Sequence, residues 1–175
     1  NILNQLGLEK GSYLLATVHR AYNADDPANL TDILSALSAQ AEQVIFPLHP
    51  RTRKKIHDFS LMERINQTLR FIEPVGYLDM LLLEQNARCI LTDSGGVQKE
   101  AYFFAVPCLT LRPETEWVET VTSGWNLLVG TDPTQILEGL KHHFPDHISQ
   151  PQLFGDGHAA KLIIHHLENN SSKPA

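Results

Sequence analysis

Short apolar runs alternate along this chain with longer segments in which apolar residues recur every three to four positions. The runs predict strands over residues 13–19, 43–49, 69–73, 88–93, 107–112 and 125–130. The periodic segments predict helices over residues 27–40, 78–85, 95–105, 133–144 and about 158–167, with a short one from Arg53. In the first of these, Leu30, Ile33, Leu34 and Leu37 share one helical face, the signature of an amphipathic helix. Pro27 suits its first turn, where a missing N–H costs nothing. Pro50 ends the second strand because it cannot donate to a ladder.

Strands separated by helices require crossover connections, which are right-handed and build a parallel sheet. Stretches such as Val44-Ile45-Phe46 and Cys89-Ile90-Leu91 are apolar throughout rather than alternating. Such strands are buried on both faces. The fold class expected is therefore α/β: an open, doubly wound parallel sheet of about six strands, with helices on both faces.

Composition narrows the class. A chain of 175 residues suits one domain and can bury a full core without a metal or disulfide staple. A net charge of −6 argues against a general nucleic-acid binder. The basic cluster Arg51, Arg53, Lys54, Lys55 has no interleaved aromatics and reads as a solvated helix turn with some pull on anions. No apolar run reaches the roughly 18 residues of a membrane span, and no signal-peptide pattern opens the chain. The two cysteines, Cys89 and Cys108, lie inside apolar runs, which fits small core residues in a reducing cytoplasm better than a disulfide framework. His142-His143 and His165-His166 are adjacent pairs whose side chains diverge on a helix. They lack the spacing of a helical metal pair, so no metal and no cofactor is expected. Residues 1–7 lack an initiator Met and read as the middle of a helix ending at Gly7. The expectation is a chain cut from a longer protein.

Open parallel sheets bind ligands beyond the carboxyl ends of their strands. Read in order, those ends carry Thr17, His19 and Arg20; His49 and Arg51; Glu73; Thr92, Asp93 and Ser94; and Arg112, Glu114, Thr115 and Glu116. Apolar strands that end in ionisable groups place those groups on one rim. Within it, Thr92-Asp93-Ser94-Gly95-Gly96 runs from a strand into a helix. Ser94 or Asp93 can cap that helix, and Gly95 and Gly96 let a phosphate approach backbone N–H groups at the positive helix end. A plain capped turn is the bland alternative. Glu100 lies one turn on from Gly96 and could accept both hydroxyls of a ribose; an exposed helix residue is its alternative. His19 and Arg20 could neutralise a diphosphate leaving group, or His19 could simply finish a strand.

Together these residues resemble the C-terminal domain of the non-hydrolysing UDP-N-acetylglucosamine 2-epimerases, whose fold is like one half of a two-domain GT-B glycosyltransferase. The resemblance rests on Thr17-Val18-His19-Arg20 with Asn23, on His49-Pro50-Arg51-Thr52, on Glu73-Pro74 with Tyr77-Leu78, on Thr92 through Glu100, and on Thr115-Glu116-Trp117-Val118-Glu119 with Gly124 and Leu128-Val129-Gly130. It implies a UDP-sugar-binding domain over residues 1–169 with a disordered tail over 170–175. It also implies a reaction that inverts the sugar at C2 by eliminating and re-adding UDP, interconverting UDP-GlcNAc and UDP-ManNAc. The roles it implies are Ser94, Gly95 and Gly96 at the diphosphate with Arg20, Glu100 at the ribose, Val75 and Met80 flanking the uracil (Val75 through its backbone), and His19 as catalytic residue near the phosphates and sugar. The proton-transfer carboxylates would belong to an N-terminal partner domain absent from this chain, with a homodimer left open for the full-length protein. The setting implied is cytoplasmic synthesis of cell-surface polysaccharide, with no nucleic acid and no membrane.

Three positions depart from the family pattern. Tyr22 stands where many relatives have Glu, Lys99 where a Glu is common, and Trp117 where others have Arg. The Thr-Glu-Trp variant also occurs in relatives acting on diacetamido uronic acids, so an epimerase of a related UDP-sugar stays open. So do a GT-B glycosyltransferase domain and a non-catalytic nucleotide-binding module.

Overall fold

A computed structural model describes residues 1–142, 144–145 and 151–170. In chain order the elements are α1 (Ile2–Leu6), β1 (Tyr13–Thr17), α2 (Ala21–Ala24), α3 (Pro27–Ser38), β2 (Gln43–Pro47), α4 (Pro50–Asp58), β3 (Leu69–Ile72), α5 (Tyr77–Asn86), β4 (Cys89–Thr92), α6 (Gly95–Phe103), β5 (Cys108–Thr110), α7 (Val118–Thr122), β6 (Asn126–Leu128), α8 (Pro133–Gly139) and α9 (Ala159–Asn170). The six strands form one sheet in the order β3-β2-β1-β4-β5-β6, and every pairing is parallel. The expected fold class is the observed one.

The pleat sorts β1 into two cores. Leu14 and Ala16 join Leu30, Ile33, Leu34 and Leu37 of α3 and Ile56 of α4. Tyr13 and Leu15 point the other way, to Leu83 of α5 and Ala101 of α6. Alternate side chains on a strand face opposite sides, so an all-apolar strand needs a helix layer on each. Each fully buried Leu or Ile contributes roughly 1.5–3 kcal/mol from area removed from water. Cys89 and Cys108 are free and buried on neighbouring strands. Tyr13 keeps its hydroxyl satisfied in the core by donating to the Leu83 carbonyl at 2.6 Å.

The boundaries differ from expectation where side chains cap. α4 begins at Pro50 rather than Arg53, because His49 accepts the Arg51 N–H and caps it. α1 spans Ile2–Leu6 and ends at Gly7 in the left-handed conformation, the end expected for this helix. α9 runs to Asn170, past the expected end at 167 and into the first residue of the expected tail. The rest of that tail, and His143 of the paired histidines, lie outside the described residues. Neither α2 nor α7 was expected; at four and five residues they are too short to show a period. No helix among the described residues is long and apolar enough to cross a membrane.

The topology places the site. From β1 the chain winds outward to β3, then returns to β4 on the other side of β1. The two connections leaving that pair diverge, which opens a crevice at the carboxyl ends of β1 and β4.

Candidate functional site

At this switch point Thr17 and Thr92 end their strands in register, and their hydroxyls bond to each other at 2.6 Å. The Thr92 hydroxyl also accepts the Ser94 N–H at 2.9 Å. The next residue, Asp93, is fully buried. Its carboxylate accepts the His19 N–H at 3.1 Å, the Arg20 N–H at 3.0 Å and the Asn23 amide at 3.1 Å. Asn23 in turn donates to the Leu111 carbonyl after β5 at 2.8 Å. One carboxylate thus ties the loops after β1, β4 and β5 together.

This corrects the expected cap of α6. Ser94 occupies the N-cap position, but no side chain bonds to the first turn, and Asp93 is committed to the β1 loop. A hydroxyl and backbone N–H groups are left at the head of the helix. A side-chain carbon at Gly96 would meet only the Ser94 hydroxyl, at 3.8 Å, so the approach to this backbone is open. Gly95 is different. A carbon there would come within 2.6 Å of Glu116 Oε1 and 3.1 Å of Trp117 Nε1. The chain itself fills the space over Gly95.

Glu116 therefore lies beside the start of α6. Arg112 donates to it at 3.0 Å and Arg20 stands 3.9 Å away. Its own backbone N–H, then Arg112 and Arg20, hold its carboxyl below the usual range. An anion bound over Gly96 would compete with Glu116 for the Arg20 guanidinium.

His19 sits in the crevice with Nδ1 3.4 Å from Asp93 Oδ1, and its ring centroid is 5.7 Å from that of His49. Partial burial lowers its pKa below the ordinary 6.5; the charge of Asp93 opposes that shift, and His49 and Arg20 add to it. The imidazole is neutral near pH 7. A tautomer with Nδ1–H toward Asp93 leaves Nε2 on the far side of the ring, available to a ligand. Beside it lies a cleft of about 210 Å³ whose walls are mainly apolar: Val18, Pro47, Pro74, Val75, Met80 and Val97, with His19 and His49 at its edge. A flat, weakly polar ring fits such walls.

Glu100 is on α6, half-buried. The Tyr77 hydroxyl from the start of α5 donates to its Oε1 at 3.0 Å. So the crevice gathers His19, Val75 and Met80, the head of α6 carries Ser94 and Gly96, and Glu100 faces α5. Arg20 is exposed beside Glu116. Glu73 faces outward in an ion pair with Arg53 at 2.7 Å.

Two departures from the family pattern meet. The Lys99 ammonium lies 4.3 Å from the Trp117 ring centroid and 4.7 Å from that of Phe154, a cation–π arrangement. The Lys99 charge thus lies over the ring of Trp117. Tyr22 is exposed, and its carbonyl accepts from Asn29 at 3.0 Å. Among the described residues no three His, Cys, Asp or Glu side chains gather where a metal ion could sit.

Sequence reasoning missed two groups. Asp93 shares with Ser94 the role of expected cap, since either suits a position before Gly-Gly, but its partners lie 70 to 74 residues away. Glu84 was not singled out, yet it is fully buried. The signal was there: Met80, Leu83, Glu84 and Ala87 form one helical stripe.

Comparison with known proteins agrees with this fold. The family model described as UDP-N-acetylglucosamine 2-epimerase matches residues 1–168. A UDP-N-acetylglucosamine 2-epimerase homolog of Methanococcus maripaludis is 51% identical over 96% of this chain and 48% of its own length. The UDP-2,3-diacetamido-2,3-dideoxy-D-glucuronate 2-epimerase of Pseudomonas aeruginosa is 46% identical over 89% of this chain and 44% of its own. Among solved structures, the Methanocaldococcus jannaschii UDP-GlcNAc 2-epimerase in complex with UDP-GlcNAc and UDP superposes with a TM-score of 0.84 at 37% identity, over 96% of this chain and 47% of that one. The chain spans about half the length of the curated relatives it matches.

Proposed function

This chain belongs to the UDP-N-acetylglucosamine 2-epimerase family, and on that premise we propose that its residues 1–169 form the UDP-holding wall of a UDP-sugar 2-epimerase. The observation that carries the reading is the Asp93 carboxylate, which locks the His19-Arg20 loop to the head of α6 at the sheet's switch point. In this reading the diphosphate lies over Gly96, with the Ser94 hydroxyl and the backbone N–H groups of the first turn as donors and the helix dipole favouring its charge. Arg20 turns from Glu116 toward the phosphates. The backbone of Gly95 borders the diphosphate from beneath Glu116. The uracil lies between Val75 and Met80, and Glu100 accepts the ribose hydroxyls.

The reaction is the interconversion of UDP-GlcNAc and UDP-ManNAc. A base removes the proton at C2 as the C1–O bond breaks, UDP departs, and a 2-acetamidoglucal remains. UDP then adds back at C1 while a proton reaches C2 from the opposite face. This wall stabilises the departing diphosphate; neutral His19 accepts or returns a proton through Nε2 beside it. The groups that act at C2 belong to a facing domain outside this chain, and both steps require a positioned acid and base. Free, buried thiols support a cytoplasmic setting. A second reading, a UDP-diacetamido-uronate as substrate, is favoured by Trp117 and by the Pseudomonas aeruginosa relative.

The test is incubation of the intact protein with UDP-GlcNAc in deuterated water, followed by proton NMR. The expected result is the manno epimer with deuterium at C2. No exchange with UDP-GlcNAc, but exchange with the diacetamido uronate, selects the second reading. No exchange with either contradicts both.

A further inference from the structure

α5 and α6 lie side by side on one face of the sheet, and Glu84 of α5 is sealed between them and the sheet. It is wholly inaccessible to solvent. Neither of its carboxyl oxygens has a hydrogen-bond donor among the described residues. Its neighbour is the Glu100 carboxyl. Two ionised carboxylates can only accept, so this contact becomes a hydrogen bond only when the pair holds a proton. Burial first, then the charge of Glu100 and the bond to it, push Glu84 up to about 8 from its ordinary 4.5. The buried partner therefore keeps the proton near pH 7.

Among the described residues, the titratable groups that act on the pair are not cations. The groups facing the pair are the Tyr77 phenol on α5, itself raised by its bond to Glu100 and by both carboxylates, and the Cys108 thiol on β5, raised chiefly by burial. α1, which packs on α5, carries no ionisable side chain. Lys99, next to Glu100, is turned to the Trp117 ring. No ion pair among the described residues includes Glu84 or Glu100.

We propose that Glu84 is a positioning residue: in its protonated form it donates from the interior to Glu100, and with the Tyr77 hydroxyl on the other side it fixes the Glu100 carboxylate to receive the ribose diol. The proposal rests on the ribose role given to Glu100. Two donors from α5, one buried and one exposed, set the plane of a carboxylate carried by α6. The lone pairs they leave are the ones a vicinal diol can use. When Glu84 ionises, the inner donor becomes a repelling charge and the carboxylate loses its fixed orientation.

The experiment is calorimetric titration of the intact protein with UDP and with 2′-deoxy-UDP from about pH 6.5 to 9.5. It is run for the unmodified protein, Glu84→Gln and Glu84→Leu. The ratio of the two affinities cancels phosphate and uracil titration as well as any general loss of folded protein. The unmodified protein is expected to favour UDP by about tenfold near neutral pH, the scale of one hydrogen bond to a charged acceptor. That preference should fade as the pH passes about 8. Glu84→Gln, whose amide still donates and cannot ionise, should keep the preference across the range. Glu84→Leu should lose most of it at every pH. A preference that is flat with pH and intact in Glu84→Leu overturns the proposal, as does equal loss in both variants, which would mean packing alone. Tight UDP binding with no preference for the ribose in the unmodified protein is a different failure: it removes the ribose role of Glu100, and the proposal with it.

Discussion

Two carboxyl groups are wholly buried among the described residues, and they are treated in opposite ways. Asp93, at the β1–β4 switch point, receives two backbone N–H groups and an asparagine amide and stands beside an imidazole. Glu84, between α5 and α6, receives nothing but another carboxyl. The first converts desolvation into rigidity, because its donors all come from the segment after β1, which is thereby fastened to the end of β4. The second leaves its desolvation unmet and holds a proton instead. A buried acid is thus not one kind of object; what surrounds it decides whether it acts as a fastener or as a proton store.

The contrast can be broken most visibly at Asp93. Replacement by Ala leaves the His19 and Arg20 amides and the Asn23 side chain without their acceptor. Each buried donor left unpaired costs on the order of 1–3 kcal/mol, so Asp93→Ala should lose about 3 kcal/mol or more in urea unfolding. UDP affinity should fall with it. A loss under about 1 kcal/mol would mean that the loops are held by something else.

Glu84 should respond in the other direction. Glu84→Leu swaps a buried acid that accepts no hydrogen bond for an apolar side chain of similar size, and should raise stability by about 1–2 kcal/mol near pH 7. The pH dependence carries the sharper signature. The unfolded chain releases this proton near 4.5, while the folded state holds it to about 8. The group's contribution to stability is full below the lower value, declines as pH rises between the two, and is gone above the upper. The stability gap between Glu84→Leu and the unmodified protein should therefore widen between about pH 4.5 and 8 and then level off. A constant gap would show that Glu84 is ionised throughout.

The smallest stability effect is expected at Gly96, which separates binding from folding. A methyl group there meets only the Ser94 hydroxyl, at 3.8 Å, and alanine suits a helix better than glycine by roughly 0.5–1 kcal/mol. Gly96→Ala should match or slightly exceed the melting temperature of the unmodified protein and yet weaken UDP. If both stability and UDP binding are unchanged, the phosphate does not approach Gly96.

The same contrast explains what could be read from the chain beforehand. All six strands and the longer helices announce themselves through apolar runs and periodicity, because Leu14, Ile45 or Leu91 has the same burial whatever the distant contacts are. The rim was legible too, since polar residues follow five of the six strands at their carboxyl ends. Asp93 was visible but misassigned: a local rule favours capping, and the donors that compete for it are brought close only by the sheet order. Glu84 lies on the apolar stripe of α5, but acidic residues in helices are so commonly exposed that its type alone does not mark it as buried. Glu116 over Gly95 could not be foreseen, because glycine before a helix reads the same whether a ligand or the chain's own carboxylate fills the space.

The central claim is that UDP lies along the rim from the His19 loop across the head of α6 to Glu100. The most direct measurement is backbone amide chemical-shift mapping of the isotopically labelled protein during titration with UDP. The account predicts that the largest shifts cluster at His19, Arg20, Ser94, Gly96 and Glu100, with Val75 and Met80 beside them. Shifts concentrated at the opposite ends of the strands, around Gly11, Arg88 and Val106, with the rim unmoved, would contradict it.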